Sequence, residues 1–327
     1  MNYTTTHSST NDLDVLTVGE AMALFIAAQP GTLSDVSEFR RTVAGAELNV
    51  AVGLRRLGFR VGYVSRVGAD SLGEQLLAFM ASESIDTRYV TVDGAHPTGL
   101  MLKSLEPDGR DPRVEYFRRG SAASHLSLAD RPTDDITTVR HLHLTGISLA
   151  LSDSARELVF EMAAQARAGG RIVSFDPNLR PSLWPSQQFM VETLNQLAAV
   201  SDLVMPGLAE GRLLTGREHV EDVADFYLQR GASRVVIKLG ADGAYFAGPD
   251  GAGVAPGVPV PRVVDTVGAG DGFAVGVISA LLEGLPLHAA AQRGNAIGAR
   301  VVQFPGDSDG LPNRDQLDAA LRAIAPK

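Results

Sequence analysis

Asp265-Thr-Val-Gly-Ala-Gly-Asp-Gly-Phe273 is the stretch from which the rest of the chain is read. Gly268, Ala269 and Gly270 permit a tight backbone turn whose N–H groups converge on one point. The run after it, Phe273-Ala-Val-Gly-Val-Ile-Ser-Ala-Leu-Leu282, reads as a buried helix closed by Gly284. Amide donors gathered at a helix N-terminus form a site for an anion, most often phosphate. Asp271 falls in the first turn beside that anion, where a carboxylate can accept the proton of a hydroxyl attacking phosphorus. In outline this is a phosphoryl-transfer site. A Walker A loop is excluded, because no Gly-Lys dipeptide occurs in the chain. A dinucleotide fingerprint would need a third glycine two residues on and a place near the first strand.

Upstream of this stretch, apolar runs alternate with helical patterns. Asp14–Val18, Val61–Ser65, His141–Thr145, Arg171–Phe175, Asp202–Met205 and Val235–Leu239 read as strands. Leu48–Leu57, Leu72–Met80 and Ala155–Ala168 read as helices, with two more near Leu287–Val302 and Arg314–Ile324. Such alternation predicts an α/β fold, a mostly parallel sheet with helices on both faces. Sites in that architecture collect at the carboxyl ends of strands, where Asp176 and Gly240 fall. Two stretches break the alternation. Ala23–Val43 lacks a helical period, and Thr98–Phe117 reads as a hairpin turning through Pro107–Pro112. They predict a small β-sheet lid, with lid segments at about 23–43 and 98–117.

The 327 residues carry a formal charge of −9, which argues against a nucleic-acid surface, and 45% are hydrophobic, as in a globular protein. No apolar run approaches the ~20 residues of a membrane span. The absence of cysteine removes disulfides and thiol chemistry and suits a cytoplasmic setting. Residues 1–13 read as a polar, disordered tail without a signal-peptide pattern, leaving one domain over 14–327. Three lysines occur, Lys103, Lys238 and Lys327, so a Schiff-base mechanism has two interior candidates. His141 and His143 share one strand face and are read as packing rather than a metal pair. Gly146-Ile-Ser-Leu-Ala150 begins like a nucleophile elbow but lacks the closing glycine.

A second motif lies far upstream: Ala44-Gly-Ala-Glu-Leu-Asn49, running into Val50-Ala-Val-Gly-Leu-Arg-Arg-Leu-Gly58. With Asp265–Phe273, it resembles the paired signatures of the ribokinase-like (PfkB-type) carbohydrate kinases, and the likeness runs from about Val15 to near Leu321. The resemblance implies a ribokinase-like fold with a β-sheet lid, ATP and Mg²⁺ as cofactors, and Asp271 as the base. Gly268, Ala269 and Gly270 become the anion hole for the transferred phosphoryl. It also implies that Gly45, Glu47 and Asn49 touch the sugar, although Glu47 equally suits a first-turn dipole role. Lys238-Leu-Gly-Ala-Asp-Gly243 resembles the ATP loop, making Lys238, Gly240 and Gly243 nucleotide contacts, with Asn295 near the adenine.

Tyr116-Phe-Arg-Arg-Gly-Ser-Ala122 and Asp176-Pro-Asn-Leu-Arg180 are similar to the subgroup acting on keto sugar acids such as 2-keto-3-deoxygluconate. There, residues at the places of Tyr116, Arg118 and Arg180 hold the substrate's carboxylate and oxygens, and guanidinium forks suit a carboxylate. Arg180 facing the nucleotide phosphates is an equal reading, and Asp307 is placed on the substrate side. One departure stands out. Where the family usually has Asn-x-x-Glu, this chain reads Gly207-Leu-Ala-Glu210, which keeps Glu210 as an indirect Mg²⁺ support and loses the amide. A monovalent cation is placed near Asp265, and paired lids suggest a homo-oligomer. The expected activity is transfer of the ATP γ-phosphoryl to the C6 hydroxyl of 2-keto-3-deoxygluconate or a close keto sugar acid. The alternatives are a neutral-sugar kinase, a catalytically weak sugar-acid-binding protein, and a Schiff-base aldolase.

Overall fold

The computed structural model describes residues 13–106, 112–132 and 136–324. Leu13, read with the tail, is buried in the core, while residues 1–12 and positions 107–111 of the hairpin turn lie outside the described residues. The chain opens with β1 (Val15–Val18), β2 (Met22–Ala27), β3 (Phe39–Ala44), α1 (Ala46–Arg56), β4 (Val61–Gly68), α2 (Ser71–Ser82) and β5 (Val90–Asp93). Next come β6 (Leu100–Lys103), β7 (Val114–Phe117), β8 (His141–Thr145), α3 (Gly146–Ala150), α4 (Asp153–Ala168), β9 (Ile172–Asp176), α5 (Gln187–Ala199) and β10 (Leu203–Val204). The last part holds α6 (Leu208–Thr215), α7 (Val220–Leu228), β11 (Arg234–Lys238), β12 (Gly243–Gly248), β13 (Gly251–Pro256), α8 (Ala269–Leu282), α9 (Leu287–Val301) and α10 (Arg314–Ile324).

Among the described residues the main sheet runs β13-β12-β11-β10-β9-β8-β1-β4-β5. From β11 through β5 all neighbours are parallel, and β12 and β13 close one edge antiparallel. The fully buried β1 and β8 read as unbroken apolar or neutral runs because helices cover both faces. One face carries a core cluster from α1, α2, α8 and α9, and the other a cluster from α4, α5, α6 and α7. The architecture is ribokinase-like α/β. The segments that broke the alternation form a second sheet, β3-β2-β6-β7, with its own small core of Met22, Leu24, Ile26, Ala44 and Met101. It is mixed, because β2 and β6 run parallel.

His141 and His143 are packed. Both are almost wholly buried and share the Ser174 hydroxyl, at 2.7 Å from His141 Nε2 and 2.9 Å from His143 Nδ1. Burial, then mutual repulsion for His141 and Lys238 for His143, pulls both down to about 3, so both imidazoles are neutral. Their folded-state values lie below the unfolded one, so the stability tied to them is present above pH 6.5 and is lost as pH falls toward 3. Ser174→Ala strands both rings and should cost about 1–3 kcal/mol in urea unfolding at pH 7. An unchanged unfolding midpoint would contradict this role for Ser174.

Candidate active site

The carboxyl ends of β1, β8, β9, β10 and β11 line up along one edge of the sheet and deliver Glu20, Thr145, Asp176, Gly207 and Lys238 to one region. Above them sit the N-termini of α1 and α8, and the second sheet closes the side. The enclosed cavity, about 400 Å³, is lined by Glu20, Glu47, Asn49, Tyr116, Arg118, Asp176, Arg180, Glu210, Lys238, Gly268, Gly270, Asp271 and Asp307, among others. This volume suits a small polar ligand.

Two glycines make the walls. Gly268 caps α8 in the left-handed region, at φ 84°, and a Cβ there would lie 2.4 Å from the Asp307 carbonyl oxygen. Gly45 precedes α1 at φ 146°, with the Glu20 carbonyl only 2.6 Å from where its Cβ would stand. Neither position accepts a side chain without strain. The amides of Gly268 to Gly270 thus open α8, whose partial positive end faces the cavity.

Asp271 occupies the first turn of α8 and is buried. Asn49 Nδ2 donates to its Oδ2 at 2.8 Å, so Asn49, expected against the sugar and lining the cavity, also holds Asp271. Asn178 Nδ2 stands 3.5 Å from the other oxygen. Burial pushes the Asp271 carboxyl up to about 7, Asp176 and Asp307 adding to the rise and Asn49 and Arg180 opposing it. An Asp271 near its ordinary value of about 4, the natural reading of a helix-start aspartate, is therefore corrected by its surroundings.

Most of the other charges are already paired. Arg118 binds Glu20, with Nε at 2.6 Å and Nη2 at 2.5 Å, and Ser121 Oγ donates to the second Glu20 oxygen at 2.5 Å. Lys238 binds Asp176 at 2.6 Å; burial opposes its charge, but Asp176 and Glu210 hold its value above the ordinary one. Lys238 Nζ lies 3.7 Å from where a Cβ on Gly270 would stand, and both residues line the cavity. Arg180 differs: among the described residues its one side-chain hydrogen bond is to the Leu179 carbonyl, at 2.8 Å, and no carboxylate stands within ion-pair distance, although Asp271 is near enough to feel its charge. Arg118, expected against the substrate, is ion-paired with Glu20. Tyr116, 44% exposed, lies beneath the Arg118 guanidinium, 5.8 Å from ring centre to Cζ.

Glu47 is buried below this layer, 2.5 Å from both Thr145 Oγ1 and Ser148 Oγ. Ser148 also lies 2.9 Å from the Val18 carbonyl and has one proton for two acceptors. Burial raises the Glu47 carboxyl, and a protonated Glu47 satisfies every partner. Ser148, the would-be elbow serine, is thus a buried strut. Glu210 lines the cavity but accepts the Gly207 N–H at 2.7 Å and the Leu179 N–H at 2.8 Å, fastening the start of α6 to the loop after β9. Among the described residues no group of three or more His, Cys, Asp or Glu side chains is placed to hold a metal ion.

Gly240, Gly243 and Asn295 do not line this cavity. Gly243 pairs with Pro256, and Asn295 Nδ2 donates to the Ala255 and Pro256 carbonyls, both at 3.0 Å. One turn on, Gly298 approaches the Ala269 carbonyl, so this corner adjoins the start of α8 from outside. Glu20 escaped the sequence reading, and Lys103, read only as a Schiff-base candidate, is instead paired with Asp265 and Asp307. Glu20 sits in an apolar-looking link between β1 and β2, where only the three-dimensional approach of Arg118 reveals it.

An anion cradle at a helix N-terminus, a buried carboxylate in its first turn and a sugar-sized polar cavity define a phosphotransferase acting on a small hydroxyl compound. Comparison with known proteins agrees. Residues 12–314 match the pfkB family carbohydrate kinase model, and the chain belongs to that family. The 2-dehydro-3-deoxygluconokinase of Bacillus subtilis (strain 168) is 52% identical over 312 residues, covering 95% of this chain and 96% of that protein. A putative ribokinase II from E. coli, in complex with ATP and Mg²⁺, superposes with a TM-score of 0.86 at 25% identity, covering 95% and 99% of the two chains. A fructokinase double mutant from Vibrio cholerae O395, with fructose, ADP and potassium ion bound, gives 0.82 at 28% identity, covering 96% and 100%.

Asp271 must be ionised to take a proton, so kcat/KM should rise about tenfold per unit from pH 5 and level off above about 7. Asn49→Leu removes a bond that favours the anion, so the midpoint should move upward. A profile flat down to pH 5 would contradict the assignment.

Proposed function

We propose that this carbohydrate kinase transfers the γ-phosphoryl of ATP to the C6 hydroxyl of 2-dehydro-3-deoxygluconate, also called 2-keto-3-deoxygluconate. The observation that carries the choice of an acid sugar is Arg180, a cation lining the cavity that forms no ion pair with a carboxylate among the described residues. A neutral sugar offers it no ion pair, whereas a substrate carboxylate meets it with paired N–H bonds. The relative named for this substrate, 52% identical, supports the same reading.

In this scheme the sugar lies between β7 and the α1 N-terminus, carboxylate toward Arg180, with Tyr116 and the Arg118–Glu20 pair along its flank. Its terminal hydroxyl approaches Asp271, which Asn49 holds in place. Asp271 takes the proton as the bond from the sugar oxygen to phosphorus forms and the bond from phosphorus to the bridging oxygen breaks, releasing ADP. The α8 N-terminus at Gly268 to Gly270 receives the anionic phosphoryl oxygens. Lys238 adds positive charge on the same side. ATP approaches from the corner of Gly240, Gly243 and Asn295. Magnesium would supply charge neutralisation to the nucleotide phosphates, and of the residues lining the cavity Glu210, already fastened to the Gly207 and Leu179 N–H groups, would support it indirectly.

The reading is tested by ADP release with ATP and Mg²⁺ across 2-dehydro-3-deoxygluconate, 2-ketogluconate, gluconate, fructose and ribose. Selectivity for the keto acids is expected, and preference for fructose or ribose would overturn the acid-sugar assignment. Asp271→Asn should lower kcat by about 10³-fold or more while the cooperative thermal transition is kept. Arg180→Gln should raise KM for the sugar acid about 10- to 100-fold, the loss of one charge-assisted contact, and change KM for ATP less than about threefold. The reverse split would place Arg180 on the nucleotide.

A further inference from the structure

Lys103, at the end of β6, is 1% exposed, and its ammonium lies 2.5 Å from Asp265 Oδ2 and 2.8 Å from Asp307 Oδ1. The two carboxylates belong to different loops. Asp265 begins the turn that leads into α8, and its Oδ1 accepts the Val267 N–H at 3.0 Å. Asp307 presses its carbonyl against Gly268, the residue whose left-handed conformation shapes the anion cradle. One ammonium therefore ties the second sheet, the cradle loop and the 307 loop together. Burial works against its charge, and the two carboxylates more than offset that and keep it protonated.

A monovalent metal cation beside Asp265 does not fit this arrangement. The carboxylate that would hold it already carries a full positive charge at contact distance. The space beside the pair, bounded among others by Ile26, Lys103, Asp265 and Pro305, is about 30 Å³, enough for a water-sized particle, so charge and not volume decides. A second cation there would face the ammonium across a few ångströms of buried, weakly screening surroundings.

We propose that Lys103 is a built-in monovalent cation, a positioning residue whose ammonium holds the Asp265–Gly270 cradle in shape, so that the enzyme needs no potassium. The proposal rests on the phosphoryl-transfer reading, with one readout independent of it. Tied in this way, the cradle is complete only when β6 is docked, so the second sheet and the anion site are mechanically linked.

The experiment compares the wild type and Lys103→Met in KCl and in NaCl at equal ionic strength, measuring kcat, KM for the sugar acid and the thermal midpoint. The wild type should change less than twofold in kcat, and less than one degree in midpoint, between the two salts. Lys103→Met should lose at least 30-fold in kcat with KM for the sugar acid within about fivefold, and its midpoint should become higher in KCl than in NaCl. Lys103→Arg, which keeps the charge, should retain more activity than Lys103→Met. Potassium activation of the wild type beyond fivefold, or a kcat of Lys103→Met within threefold of wild type, would overturn the proposal. If Lys103→Met does not fold, the wild-type salt comparison decides alone. The thermal midpoints need no substrate, so a wrong sugar assignment cannot be mistaken for failure of the cation assignment.

Discussion

A single hydrogen bond, Asn49 Nδ2 to Asp271 Oδ2, joins groups 222 positions apart in the chain, and the catalytic arrangement depends on it. Each partner lies in the first turns of a helix, α1 or α8, and the two helices share one core cluster on the same face of the sheet. Close packing fixes their relative position, so the two N-termini meet over the strand ends within a narrow tolerance. The bond then sets which way the buried carboxylate points. It also favours the charged form and so opposes the burial that raises the Asp271 carboxyl. A carboxylate poised near 7 suits a base that must hold a proton briefly and release it.

The charges around the cavity form a graded set. Arg118 with Glu20, Lys238 with Asp176, and Lys103 with Asp265 and Asp307 are compensated internally and act chiefly as rigid parts. Removing one partner of such a buried pair leaves an uncompensated charge, which costs far more than a surface pair does. Arg180, with no ion pair among the described residues, and the N-terminus of α8, where the Ala269 N–H is given to the Thr266 carbonyl at 3.3 Å, are the positive elements that remain.

Much of this was legible before any coordinates, because glycine patterns act locally. The turn at Gly268 to Gly270 and the helix after it depend on residues within a few positions, as does the strand periodicity of β8 and β9. What escaped was non-local. Asn49 belongs to a recognisable motif, yet its partner lies 222 residues away, so its role against Asp271 could not be read from either segment. Glu20 and Lys103 each looked like an isolated charge in an apolar strand context. Helices α5, α6 and α7 have short apolar stripes diluted by polar residues. The elevated value of Asp271 arises from burial and from Asp176 and Asp307 on other loops, which no local pattern encodes.

The central claim is that Asp271 acts as a base in one direct transfer and never carries the phosphoryl group itself. The stereochemical course at phosphorus tests this most directly, using ATP made chiral at a γ-thiophosphate with the sugar acid as acceptor. Inversion of configuration is predicted, since a single in-line displacement inverts the phosphorus once. Retention would mean two displacements through a phosphorylated enzyme group and would contradict the account.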